Sequence, residues 1–75
     1  MEDKKIIQVI DLVSKATGIN KDQIQKDSRA IDFDKWDSLS NLKIVLALEK
    51  KLKKKLNATQ VSKIDSVNSI IKLIS

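Results

Sequence analysis

Apolar residues recur every three or four positions in three separate stretches of this chain, and nowhere do they alternate with period two over a useful length. Such spacing gathers them on one side of a helix and leaves no strand pattern, which confines the chain to all-α folds. The first stretch holds Ile6, Ile7, Val9, Ile10, Leu12, Val13 and Ala16, and Gly18 should end it, because glycine readily takes the left-handed turn that follows a helix. The second holds Leu39, Leu42, Val45, Leu46, Leu48, Leu52 and Leu56. It predicts a helix over 39–56, about 27 Å long at ~1.5 Å per residue, with lysines in its last two turns. Asn57-Ala58-Thr59 breaks it, and Thr59 is placed to cap a short turn through Ile64. Asp65 and Ser66 then open a last helix with Val67, Ile70, Ile71 and Ile74 on one face.

Between Ile19 and Trp36 the pattern loosens. Asn20 with Gln23 three residues later predicts a capped turn around residues 22–25. Ile31, Phe33 and Trp36 then read as apolar anchors among Asp27, Asp32, Asp34 and Asp37. A loop of this length inside a small domain tends to be functional or disordered, and the anchors argue for function. The expected architecture is a small four-helix bundle, three main helices plus one short one. A long ordered loop joins the first and second helices, and residues 1–75 form one domain.

Size and composition narrow the function. A chain of 75 residues buries only about 60% of the surface its unfolded form exposes, which leaves little protein to wall a cleft. Cysteine and histidine are absent, so disulfides, a zinc site and histidine acid–base chemistry are not expected. These features favour a carrier or binding module over an enzyme, with no metal. Met1-Glu2-Asp3-Lys4-Lys5 does not read as a signal peptide, and the longest uncharged apolar run, Ile44 to Leu48, is far short of the ~20 residues that span a bilayer. A soluble, cytoplasmic protein without membrane contact is expected.

The chemistry concentrates in Trp36-Asp37-Ser38-Leu39-Ser40-Asn41-Leu42, where the loop meets the leucine-rich helix. Ser38 would sit at the helix N-terminus, where free N–H groups and the positive end of the macrodipole favour an anion. Asp37 can take the capping role and leave the Ser38 hydroxyl available for modification. An ordinary N-cap is the plainer reading of Ser38. Asp65-Ser66-Val67 has a similar form but lacks a long helix after it, and Ser66 is read as a cap.

The stretch resembles the acyl/peptidyl carrier proteins, whose signature is Asp-Ser-Leu followed by a helix. Residues Leu42 to Leu52 also resemble that family's second helix, and the likeness covers nearly the whole chain. It implies that a phosphopantetheinyl transferase using coenzyme A esterifies Ser38 with 4′-phosphopantetheine. The arm would hold an acyl or aminoacyl group as a thioester, loaded by an acyl- or aminoacyl-activating ligase and passed to a downstream acyltransferase. A monomer is expected. Leu42 reads as core, and Leu39 as either core or a partly exposed partner contact. Val45 and Leu46 read as core before acyl-pocket lining, and Phe33 and Trp36 as loop anchors. The implied docking residues are Asp37, Leu39, Lys43, Leu46, Lys50 and Lys51.

Charge sets this chain apart from the family it resembles. The net charge is +5, and the excess lies between residues 38 and 56, where Lys43, Lys50, Lys51, Lys53, Lys54 and Lys55 face a single acid, Glu49. Carriers of this type usually place carboxylates along that helix, so partners built for acidic carriers fit poorly. The helix dipole favours lysines near its C-terminus by ~0.3–1 kcal/mol each, which makes a solvated face the default reading, although six against one Glu exceed what capping requires. A small basic nucleic-acid-binding protein is the alternative function. Against it, the cluster lies at a helix C-terminus whose dipole repels phosphate, Arg29 is the one arginine, and no aromatic stands among the lysines to stack a base. Nucleic acid is therefore not an expected partner.

Overall fold

The structure, a computed structural model, describes residues 2–74. Four helices follow one another: α1 (Glu2–Thr17), α2 (Ser38–Leu52), α3 (Ala58–Ser62) and α4 (Val67–Ile74). No strand occurs among the described residues. α1 packs against both α2 and α4. Val9 and Val13 from α1, Ile44 and Leu48 from α2, and Val67 and Ile70 from α4 are almost wholly withdrawn from solvent. This is the small bundle that the three-and-four spacing predicts.

α1 stops where glycine predicts. Gly18 has φ +80° and donates its N–H to Ser14 O at 2.8 Å, and the Ser14 hydroxyl donates to Ile19 O at 2.6 Å. The chain then turns inward, so Ile19 is buried. A 3₁₀ turn does form beyond it, at Lys21–Gln23 and thus earlier than expected, and the Asn20 side chain makes no capping bond there.

The long loop is anchored, but only partly by the expected residues. Trp36 is buried and Phe33 packs against the core. Ile31 does neither: it lies in a second 3₁₀ turn, Ala30–Asp32, and is 83% exposed. Ile24 takes the inward position instead. Backbone pairing completes the attachment. Ala30 N–H donates to Asp65 O at 2.7 Å and Val67 N–H to Ser28 O at 3.0 Å, around an isolated antiparallel bridge between Arg29 and Ser66. The buried Ser28 hydroxyl accepts from Gln25 N–H at 2.7 Å, so burying it leaves no orphan polar group.

α2 is shorter than its leucines predict. It ends at Leu52, and Lys53 takes the left-handed conformation at φ 57°. Lys54 and Lys55 therefore lie beyond the helix. Glu49 holds this exit: its backbone oxygen accepts from Lys53 and Lys54, and its carboxylate accepts from Leu56 N–H at 2.9 Å. The cap of α3 also differs from expectation. Asn57, not Thr59, accepts from Gln60 N–H at 2.8 Å, and Gln60 Oε1 accepts from Asn57 N–H at 3.0 Å, a reciprocal capping box.

Candidate functional site

Ser38 is the first residue of α2 and is exposed. Asp37 immediately before it adopts extended backbone and accepts from Ser40 N–H at 2.9 Å, so the aspartate is the N-cap. The Ser38 hydroxyl makes no hydrogen bond to another described residue. It stands on the rim of a recess of about 400 Å³, with Ala30 and Ile31 from the loop, Trp36 and Asn41 beside the helix start, and Ile64 from the α3–α4 connection.

Trp36 holds this junction in place. Its indole Nε1–H donates to Asn41 Oδ1 at 3.0 Å, and its backbone N–H donates to Phe33 O at 3.2 Å. A buried indole with a partnered N–H thus ties the last turn of the loop to the first turn of α2. Asn41 carries no mark in the sequence that distinguishes it from a surface amide. Ile64 lies 26 positions beyond Ser38, and only the tertiary fold brings it to the recess.

The hydrogen bond from Ser40 N–H, aided by the Ser40 side chain, holds the Asp37 carboxyl below its ordinary value of 3.8. A carboxyl lowered by folding stabilises the native state above its unfolded pKa, and that contribution is lost as pH falls through the folded value. Asp37→Asn keeps an acceptor for the cap but removes the titration. Its melting temperature should fall less than that of the wild type between about pH 5 and pH 3, a difference readable by circular dichroism. An equal fall in both proteins would remove Asp37 from the acid response.

The remaining residues singled out in the sequence fall on two surfaces. Leu39, Leu42 and Leu46 are 64%, 54% and 57% exposed. Leu42 and Leu46, expected in the core, are therefore corrected to surface positions, and Leu39 takes the exposed of its two readings. The reason is geometric: Ile44, Val45 and Leu48 turn the opposite side of α2 into the core, which leaves the three leucines as a stripe running from Ser38. Lys43, Lys50 and Lys51 line a different surface, between α2 and α1. Ser66 differs from Ser38 in that its hydroxyl is engaged, accepting from Ser69 N–H at 3.1 Å as the cap of α4.

A family model described as the phosphopantetheine attachment site matches residues 8–74. The chain belongs to that family. Its members carry 4′-phosphopantetheine and are carriers, not enzymes, so this chain is a carrier that takes that covalent cofactor. No curated protein matches the chain. Carrier proteins meet a phosphopantetheinyl transferase and biosynthetic enzymes as a class. The residues at the start of α2 suit the group: an exposed hydroxyl, a neighbouring cap that leaves it unengaged, and a recess bordered by apolar side chains. No helix among the described residues is long and apolar enough to cross a membrane.

Proposed function

We propose that this protein is an acyl carrier protein that bears its arm on Ser38 and holds an acyl or aminoacyl group there as a thioester. The observation that supports this most is the division of labour at the start of α2: Asp37 caps the helix, and the adjacent Ser38 hydroxyl is exposed and unengaged. The arm supplies the thiol on which cargo is held. The protein's own residues orient the attachment point, since Trp36 and Asn41 fasten the loop to the helix and the macrodipole favours the phosphodiester's negative charge.

In this reading a transferase, an activating ligase and a downstream acyltransferase meet two adjoining surfaces of α2, one with Asp37, Leu39 and Leu46 and the other with Lys43, Lys50 and Lys51. Exposure of Leu39 and Leu46 beside the attachment point supports it, because an apolar stripe in water is better covered by a partner. The protein acts in the cytoplasm as a monomer.

Intact-mass analysis of protein purified from its native host tests the proposal. The expected spectrum shows the mass of one arm, with a further species carrying cargo that hydroxylamine removes while the arm stays. Protein that lacks the arm, and that a promiscuous transferase with coenzyme A also fails to modify, would defeat the reading.

A further inference from the structure

A groove of about 550 Å³ runs between α1 and α2 and shares no residue with the recess beside Ser38. Its apolar, half-buried lining comes from Leu12 and Ala16 on α1 and Ala47 on α2. Lys43, Lys50 and Lys51 border it on the α2 side. On the α1 side Lys15 is paired with Asp11, which also binds Lys21, so that carboxylate is already shared between two lysines. Glu49 is occupied by Leu56 N–H. Among the described residues, no carboxylate lies within ion-pair distance of Lys43, Lys50 or Lys51.

The helix itself explains only part of this. Lys50 and Lys51 lie in the last turn of α2, where the dipole favours cations. Lys43 is more than a turn further back, beyond the reach of that effect. Three uncompensated cations beside an apolar groove call for an occupant with both apolar and acidic groups. From Lys43 to Lys51 the chain advances about 12 Å, a little over two turns of a helix. Carboxylates two turns apart on a second helix match that interval, and a helix laid in a groove is a common recognition mode. Nucleic acid matches less well, since the groove offers alkyl side chains and lysines but no arginine or aromatic ring.

We infer that the α1–α2 groove docks an acidic amphipathic helix of a partner protein, its apolar side chains against Leu12, Ala16 and Ala47 and its carboxylates against Lys43, Lys50 and Lys51. The inference does not rest on modification of Ser38, and it is tested on protein carrying Ser38→Ala so that its failure is separate from any failure of the carrier reading. The probe is a synthetic helical peptide with leucines on one face and glutamates flanking them, compared with a peptide in which lysines replace the glutamates. Binding is followed by amide chemical-shift mapping and by titration at low and high salt.

The glutamate peptide should shift the amides around Leu12, Ala16, Lys43 and Ala47, and added salt should weaken it. Lys43→Glu, Lys50→Glu and Lys51→Glu together should cost tenfold or more in affinity, about 1.4 kcal/mol. Lys53→Glu, Lys54→Glu and Lys55→Glu together make the same change in net charge outside the groove and should cost less than about threefold, as dispersed surface charge does. All six lysines are exposed, so neither triple variant disturbs the core. Equal losses in the two variants, no preference for the glutamate peptide, absence of binding, or shifts confined to Leu39, Leu42 and Leu46 would each overturn the inference. Displacement of the peptide from the groove by a DNA oligonucleotide at lower concentration would do so in favour of nucleic acid.

Discussion

Ser38→Ala is expected to abolish addition of the phosphopantetheine arm while leaving the fold intact. The loss is complete because alanine has no oxygen to form the phosphodiester, and no graded energetic effect is involved. The fold should survive because Ser38 is exposed and caps nothing: the bond that caps α2 comes from Asp37. Ser66→Ala is the matching control, since that serine stands in the similar Asp65-Ser66-Val67 sequence. It should accept the arm normally but lose about 1 kcal/mol of stability, because its hydroxyl caps α4 through Ser69 N–H. Incubation with a promiscuous transferase and coenzyme A, read by intact mass, checks both. Modification that persists in Ser38→Ala would show the attachment serine to be elsewhere.

Trp36→Ala should produce the largest loss of stability of any single change in the loop. Truncating a buried tryptophan costs about 3–5 kcal/mol, and a chain of 75 residues has only roughly 4–11 kcal/mol in total. The indole is buried and its N–H reaches Asn41, so the variant loses core packing and the fastening of the loop to α2 together. Urea denaturation followed by circular dichroism reads the effect; fluorescence cannot, since this is the sole tryptophan. Trp36→Phe keeps an aromatic ring but loses the hydrogen bond and part of the buried indole, so it should cost less than Trp36→Ala, about 1 kcal/mol for the bond plus a small cavity. Slower modification of Ser38 in whatever Trp36→Ala remains folded would follow from the loosened junction. An unchanged denaturation midpoint would mean that the loop is held by its backbone pairing to α4 and not by the indole.

The helices, the glycine stop of α1 and the aspartate cap before Ser38 were legible in the sequence because each depends on residues close together in the chain. Helical periodicity is set within a few turns, Gly18 answers a local conformational need, and Asp37 reaches an N–H three residues ahead. Local signals misled where two were available. Leucines continue to Leu56, but Lys53 turns left-handed and Glu49 ties down Leu56, which ends α2 early. Asn57 and Gln60 satisfy each other more completely than Thr59 could, and so set the start of α3.

Which side of α2 faces inward could not be read from the chain. Ile44, Val45 and Leu48 are as apolar as Leu39, Leu42 and Leu46, and together they cover more than half of the helix circumference, so periodicity alone does not say which part of that band is buried. The same holds for Ile31, which is exposed, and Ile24, which is buried. The sequence by itself determined an all-helical chain with an aspartate-capped serine at the head of its main helix. Only the tertiary structure decided that three leucines beside that serine face solvent and that three lysines border a groove, because burial depends on α1, α4 and the loop, which are distant in sequence and adjacent in space.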